Sequence, residues 1–242
     1  MNYFVYKGIR SCDLGLRIEK KDVFSAPEYT QNFLSIPGRD GDLIAGDGRF
    51  PNVQVTYTVF VVAKSVTELY DRIANVKNWL YADLNTYHEL SDTYDTQCYR
   101  YGVFSGKLDI DEQLNRIGMF TISFSCKPFR RTLDGDTSME LYDTTVLTNP
   151  FPFTSKPLIR VIGTGGGSLI LQTGDSTRIW TITELSGYLD IDCEQMNFYK
   201  DAVSMNDKVS GNGFPTLAPG STSIAFTGDI TSVIVTPRWC CL

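Results

Sequence analysis

The sequence contains a single histidine, His88, among its 242 residues. A catalytic histidine needs a carboxylate to orient it, and Asp92 and Asp95 are candidates a few residues away. One histidine without paired cysteines is also too few for an ordinary zinc site. We therefore expect His88 to be a surface or hydrogen-bonded residue, and we expect neither catalytic nor metal-ligating residues.

Cysteine is also scarce, with six residues in the chain. Small disulfide-stabilised domains have far more for their length. Four of the six stand alone, and Cys240 and Cys241 are adjacent, which is not the CxxC spacing of a zinc or redox site. We expect all six to be reduced and structural, and no cofactor.

Long apolar runs and excess positive charge are missing as well. No segment approaches the roughly 20 apolar residues that span a bilayer, and the first residues contain no signal-peptide core. The 22 lysines and arginines are outnumbered by 28 acidic residues, for a net charge of −6. This balance gives no basic surface for a phosphate backbone. We expect no membrane insertion, no nucleic acid contact, and a chain that stays in the cytoplasm where it is made.

What the sequence does contain is mostly strand periodicity. Apolar residues alternate with polar ones in Val53–Val62 and again in Phe120–Cys126, as half-buried strands require. Between them, Ser65 to Ala82 changes to helical spacing, with Ser65 and Glu68 forming a capping box. The apolar face of this predicted helix consists of Val66, Leu69, Tyr70, Ile73, Val76 and Leu80.

Three prolines fall within residues 143–157 among small polar side chains, which predicts a linker. The sequence therefore divides into an N-terminal domain, residues 1–142, and a C-terminal domain, residues 158–242. The second domain is expected to be an antiparallel β-sandwich, because short strand patterns repeat there without a helix. Those strands are Leu158–Ile162, Ser168–Gln172, Arg178–Ile182, Tyr188–Cys193, Ser223–Phe226 and Ser232–Thr236.

Acidic pairs and a glycine run are the remaining candidates for chemistry. Asp109 with Asp111, and Asp190 with Asp192, share a strand face, which suits a cation or a solvated outer surface. We favour the solvated surface. The run from Gly163 to Ser168 lacks the Lys and the following helix of a phosphate loop, so we interpret it as a flexible hairpin connection.

One loop stands out as a candidate interface. Gly38, Arg39, Asp40, Gly41 and Asp42 follow a proline, and Asp40-Gly41 can form a tight turn with positive φ. Arg39 is able to pair with Asp40, Asp42 or a neighbouring subunit. Because glycine and aspartate dominate residues 37–48, including Asp47, this segment is expected to be mobile or to order only against a neighbour.

The order of several short motifs resembles one protein family. Together they are similar to siphophage distal tail proteins, and they span nearly the whole chain. The matching segments are Phe4–Ser11 with Asp13–Leu16, the Pro-Gly-Arg-Asp-Gly loop at 37–41, the strand Val53–Val62 with the helix ending in Trp79-Leu80, the Phe-x-Cys-Lys-Pro-Phe motif at 124–129, Pro157–Val161, Ile191–Glu194 with Tyr199, Phe214-Pro215 and Leu217–Gly220.

This resemblance implies a structural role at the phage tail tip. The N-terminal domain would be α+β, sandwich-like with one helix and an extended loop or hairpin, and the C-terminal domain a galectin-like sandwich, giving a mainly β protein. The N-terminal domains would form a hexameric ring that joins the tail tube protein to the tail-associated tip protein. Receptor-binding proteins are further partners, the location is the virion, and no enzymatic activity is implied.

Two other classes of function stay open. A carbohydrate-binding module that contacts the host surface would need an exposed aromatic platform, for which Trp180 and Tyr188 are candidates. A tail-tip hydrolase would need paired carboxylates in a cleft, for which the sequence offers only the aspartate pairs described above.

Overall fold

The computed structural model of the protein describes residues 2–46, 48–113 and 116–242. The chain forms two compact units, Met1–Arg130 with Leu242, and Arg131–Cys241. Each unit has its own hydrophobic core.

The first unit is a strand-rich domain with one α-helix among its described residues. Its elements in chain order are β1 (Phe4–Tyr6), β2 (Ile9–Arg10), a 3-10 turn (Ser11–Leu14), β3 (Leu16–Asp22), β4 (Gln31–Leu34), β5 (Leu43–Gly46), β6 (Val53–Val62), α1 (Val66–Tyr81), β7 (His88–Asp92), β8 (Asp95–Phe104), β9 (Asp111–Gln113) and β10 (Ile117–Cys126).

The second unit consists of strands with short 3-10 turns. From the boundary onward the elements are β11 (Arg130–Thr132), a 3-10 turn (Asp134–Asp136), β12 (Met139–Leu141), β13 (Thr145–Asn149), β14 (Leu158–Thr173), β15 (Ser176–Asp192), β16 (Asn197–Lys200), β17 (Val203–Ser204), a 3-10 turn (Asn206–Lys208), β18 (Val209–Gly211), β19 (Gly220–Thr236) and β20 (Cys240–Cys241).

An antiparallel sheet in the order β2-β1-β7-β8-β10-β6-β3 builds the first unit. At its centre β6 and β10 pair along their full lengths, from Val53 opposite Cys126 to Val62 opposite Ile117. Alternate side chains of both strands are buried, which confirms the predicted periodicity. Aromatic rings fill the core beneath them, with Phe4 stacked on Tyr57 at 4.4 Å between ring centroids.

The helix α1 begins and ends within one residue of the predicted bounds. The Ser65 side chain accepts a hydrogen bond from the Glu68 N–H, while the Glu68 carboxylate accepts from the Lys64 N–H, so two otherwise unpaired donors are satisfied. The buried face differs from the prediction at its N-terminal end, because Val66 and Tyr70 are exposed. The residues that pack into the core are Leu69, Ile73, Val76, Trp79 and Leu80.

In the second unit, three long strands replace the six short ones that the sequence predicts. The strands β14, β15 and β19 each run through two predicted strands without interruption, and β14 pairs with both of the others. The sheet has eight strands: six follow the order β12-β19-β14-β15-β16-β17, while β13 pairs with β19 and β18 with β15. The buried core contains Trp180, which is fully enclosed.

The glycine run at 163–168 is therefore not a hairpin connection, and that prediction is wrong. It lies inside β14, at an irregularity in the register with both neighbouring strands. A Cβ placed on Gly163 would lie 2.2 Å from the Asp229 carbonyl oxygen, and one on Gly167 would lie 2.6 Å from that of Thr227. Glycine is needed because backbones approach closely, not because the chain turns.

The division into units differs from the predicted boundaries at 142 and 157. Residues 131–142 fall in the second unit, where β12 pairs with β19. Part of the predicted linker forms β13, which also pairs with β19, from Thr145 opposite Ile224 to Asn149 opposite Gly220. The prolines at 150, 152 and 157 lie between β13 and β14, where they interrupt no strand.

The mainly β class is confirmed, since strands dominate both units and α1 is the α-helix of the described residues. No helix that these residues form has both the length and the apolar character that a membrane crossing requires.

Candidate assembly site: an exposed hairpin of the first unit

The predicted interface loop lies at the tip of a hairpin. The strands β4 and β5 form a separate two-stranded sheet, with Phe33 opposite Ile44 and Leu34 opposite Leu43. Gly38 to Asp42 belong to the segment that joins these two strands. The five residues singled out in the sequence are thus close together, at one end of this element.

Both faces of this hairpin are apolar and open to solvent. Phe33 and Ile44, on one face, are 59% and 61% exposed, and Leu34 and Leu43, on the other, are 52% and 43% exposed. An isolated two-stranded ribbon is only marginally stable in water. Adjacent exposed apolar side chains of this size are characteristic of surfaces that bind another protein.

Turn geometry shapes the tip. The Arg39 N–H donates to the Ile36 carbonyl over 3.1 Å, with Pro37 and Gly38 between them and Gly38 at φ +82°. This is the hydrogen bond and the residue order of a type II turn, in which only glycine readily takes the positive φ. Gly41 also has a positive φ, +79°, as the Asp40-Gly41 pair predicts.

Charge at the tip is unpaired within the described residues. No acidic side chain among residues 2–46, 48–111 and 116–242 forms an ion pair with Arg39, so neither Asp40 nor Asp42 is its partner. Asp47, which belongs to the predicted segment, lies outside the described residues. Of the partners predicted for Arg39, the neighbouring subunit therefore stays a prediction.

Sequence reasoning found the tip of the hairpin and missed its strands. The weight of glycine and aspartate in residues 37–48 hid Leu43–Gly46, which pairs as β5. The available signal was the pair of apolar dipeptides, Phe33-Leu34 and Leu43-Ile44, on either side of a turn-rich segment.

His88 has no catalytic arrangement around it in the described structure. Its Nε2 lies 3.0 Å from an Asp83 carboxylate oxygen, although the geometry is not that of a hydrogen bond, and its ring meets the edge of Tyr6. The aspartates suggested by the sequence, Asp92 and Asp95, are engaged elsewhere, with Tyr57 and Arg130. The described residues contain no group of three or more candidate metal ligands.

The aspartate pairs have different surroundings. Asp109 is exposed and forms an ion pair with Lys107, as a solvated surface predicts. The solvated interpretation is wrong for Asp190 and Asp192, which are 6% and 4% exposed. Each carboxylate is instead paired with an arginine. Asp190 pairs with Arg160 of the neighbouring strand β14, and Asp192 pairs with Arg238 of the C-terminal segment.

Neither aromatic candidate is a free platform for a sugar. Trp180 is fully buried and donates its indole N–H to the Gly213 carbonyl, so it belongs to the core. The Tyr188 ring is covered by the Arg160 guanidinium, and its hydroxyl donates to Asp201.

Comparison with known proteins finds a family similarity in the first unit. Residues 14–126 match the family model described as the phage tail protein RIFT-related domain. This segment runs from the 3-10 turn before β3 to the last residue of β10, and so contains the hairpin and α1. These residues are thus similar to a phage tail domain. A comparison with curated protein sequences finds no match for the chain.

Solved structures extend the similarity to both units. The Dit protein of phage SPP1, described as a paradigm of the hub adsorption apparatus in phages that infect Gram-positive bacteria, aligns with a TM-score of 0.79 at 15% identity, covering 100% of both chains. Chains of the phage P2 baseplate in its activated conformation, with calcium and with strontium, align with TM-scores of 0.52 and 0.53 at 8% identity, covering 97% of each chain. The family match and this shared fold confirm the predicted resemblance to distal tail proteins.

Proposed function

We propose that this phage tail protein is the distal adaptor of a long-tailed phage, a ring of six copies at the tail tip. Its N-terminal units close the ring and join the tail tube protein to the tail-associated tip protein. Receptor-binding proteins are further partners, attached directly or through the tip, and assembly takes place in the cytoplasm of the infected host. The phage tail domain at residues 14–126 and the whole-chain fold shared with a hub protein support this role.

The single observation that carries the proposal is the hairpin β4–β5 with two exposed apolar faces. In a monomer, the side chains of both pairs, Phe33 with Ile44 and Leu34 with Leu43, remain exposed to solvent. A neighbouring subunit that packs on the hairpin removes both pairs from solvent, and each fully buried side chain of this kind contributes about 1.5–3 kcal/mol. Several such contacts per interface are enough to favour assembly over the free chain.

The hairpin also suits the geometry of a ring. A ring closes through a heterologous interface, in which one surface of a subunit binds a different surface of the next. A protruding hairpin that inserts against the adjacent subunit is such a contact, since donor and acceptor surfaces differ. We place Arg39, Asp40 and Asp42 at the rim of this contact, where Arg39 pairs with a carboxylate of the neighbour.

A structural role, with no catalytic one, agrees with how the acidic residues are used. The buried aspartates 190 and 192 are each held by an arginine in a two-bond arrangement. Such carboxylates are poorly placed to bind a reacting group, because both of their oxygens already accept hydrogen bonds from an arginine.

Copy number and position test the proposal. Six copies of 27.1 kDa give a ring of about 163 kDa. An antibody against the protein should label the tail tip of purified virions. A complex with the tip protein should show six-fold symmetry by electron microscopy. Because completion of the ring can require the tail tube, a monomer in dilute solution is compatible with the proposal. A different symmetry in virions, or a position away from the tip, contradicts it.

A further inference from the structure

A shallow groove with a mixed polar and apolar lining lies on the sheet of the second unit. It has a volume of about 370 Å³ and is lined by residues from the paired strands β14, β15, β16 and β19, together with Ser138. Four of its side chains form a row across these strands, because Arg160 pairs in register with both Ile234 and Asp190, and Asp190 with Tyr199. The groove is therefore fixed by strand register and not by loops.

At the centre of the row is a rigid charge pair. The Nε and Nη2 of Arg160 donate to the two oxygens of Asp190 over 2.7 and 2.8 Å. The guanidinium also lies over the Tyr188 ring, 4.4 Å from its centroid. These contacts fix the guanidinium plane, although the Arg160 side chain remains 46% exposed, so its outer edge is presented to the groove in one orientation.

Two polar groups of the groove are accessible to a ligand and are not engaged by other groups of the described residues. Within the described part of the chain, no acceptor bonds to Arg160 Nη1, and the Tyr199 hydroxyl has no hydrogen-bond partner. Burial raises the pKa of Tyr199, followed by the charges of Asp190 and Asp192, so its hydroxyl stays protonated and able to donate. A ligand in the groove can therefore accept a hydrogen bond from Arg160 Nη1, and it can donate to or accept from the Tyr199 hydroxyl.

The chemistry of the lining selects the class of ligand. The charges of Arg160 and Asp190 cancel, which disfavours a phosphate or carboxylate ligand that would need net positive charge. Leu158, together with Ile234 at one end of the row, adds apolar surface to the lining. Hydroxyl groups next to C–H faces match such a mixed lining, since polar contacts fix the orientation and apolar contacts exclude water.

We propose that this groove binds a neutral saccharide, with Arg160 and Tyr199 as direct hydrogen-bonding partners. The site goes beyond the adaptor role and uses none of the hairpin residues. It also differs from the aromatic platform expected from the sequence, because Trp180 takes no part in it.

The test is protein-observed NMR titration of the full chain with methyl glycosides of glucose, galactose, rhamnose and N-acetylglucosamine. Glycerol 3-phosphate serves as the anionic probe. At least one glycoside should shift the backbone amides of Arg160, Asp190 and Tyr199, with weak single-site affinity. Loss of one hydrogen bond in Tyr199→Phe should weaken binding about 3- to 10-fold, and Arg160→Lys should weaken it at least about 10-fold.

Matched controls separate binding from folding. Tyr199→Phe removes only a hydroxyl that has no partner in the described structure, so it should fold normally even if Arg160→Lys does not. Tyr70→Phe, at an exposed position of α1, should leave binding unchanged. The proposal is overturned if no glycoside binds, if glycerol 3-phosphate binds in their place, or if Tyr199→Phe binds as tightly as the unmodified protein. None of these outcomes bears on the copy number of the ring.

Discussion

The guanidinium of Arg238 donates two hydrogen bonds to the carboxylate of Asp192, Nη1 to Oδ1 over 2.9 Å and Nη2 to Oδ2 over 3.2 Å. The same Oδ1 accepts the backbone N–H groups of Glu194 and Gln195, so Asp192 also holds the turn that ends β15. One carboxylate therefore ties the C-terminal segment of the chain to a central strand of the second unit.

Arg238→Gln is expected to destabilise the second unit by about 3 kcal/mol, because it leaves a buried carboxylate without its partner. Urea unfolding monitored by circular dichroism measures the change. Arg17→Gln, at an exposed position of β3, is the matched control and should change the free energy of unfolding by less than about 0.5 kcal/mol. An equal effect of the two substitutions would show that the pair contributes little.

Low pH should remove the stabilisation that the pairing of Asp192 with Arg238 provides. Burial by itself would raise the pKa of Asp192, but the hydrogen bonds from Arg238, Gln195 and Glu194 outweigh it and lower this pKa below 3.8. A carboxylate whose pKa is lowered by folding stabilises fully above its unfolded pKa and loses that stabilisation as the pH falls through the folded value. The stability difference between the unmodified protein and Asp192→Asn should therefore be constant down to about pH 5 and shrink below about pH 4. A difference that does not depend on pH contradicts this account.

Exposed apolar residues of the hairpin should matter for assembly and not for folding. Phe33→Ser combined with Ile44→Ser should change the unfolding free energy of the isolated chain by no more than about 1 kcal/mol. The variant should fail to enter particles in a phage complementation assay. Ile179→Ser, at a residue of β15 with 50% exposure, is the control and should be incorporated normally. Normal incorporation of the hairpin variant would remove the hairpin from the interface.

Hydrogen exchange will decide the nature of residues 143–157. The backbone amides of β13 that bond to β19 should be as well protected as those of β14, because both strands pair with β19 in the same sheet. Limited proteolysis should accordingly spare Thr145–Asn149. Rapid exchange across the whole of 143–157, with cleavage there into two stable fragments, would favour the linker that the sequence predicts.

The glycines of β14 provide a steric test. Gly163→Ala places a methyl group 2.2 Å from the Asp229 carbonyl oxygen and should cost about 1–3 kcal/mol of stability. Gly166→Ala is the control in the same run, since its Cβ would have no neighbour nearer than 3.5 Å. Thermal unfolding of both variants measures the difference, and similar melting temperatures would argue against the close backbone approach.

Local patterns were sufficient for part of this fold. The alternation in β6 and β10 and the cap of α1 depend on neighbours a few residues apart, so the sequence shows them directly. The uninterrupted course of β14 does not depend on near neighbours alone. Glycine is common both in turns and where strands approach closely, and only the position of Asp229 shows that this run belongs to the second case. Its strand register was therefore beyond prediction.

The candidate sites divide in the same way. The turn residues Gly38 and Gly41 were recognisable from their type, whereas the exposure of Phe33 and Ile44 depends on what fails to cover them. Asp190 is paired with Arg160, 30 residues away in sequence, and that distance is bridged only by the antiparallel pairing of β14 with β15. Alternation alone predicted an outward face and could not reveal that an arginine shields it.

The two most deeply buried thiols have a consequence for how the protein ages. Burial raises the pKa of both Cys126 and Cys193 to about 12, so almost no reactive thiolate exists at neutral pH while the cores are intact. Cys126 belongs to the core of the first unit and Cys193 to that of the second. Oxidation of Cys126 is therefore expected to follow opening of the first unit, and oxidation of Cys193 to follow opening of the second. The extent of oxidation at each sulfur would then report how often that unit has unfolded.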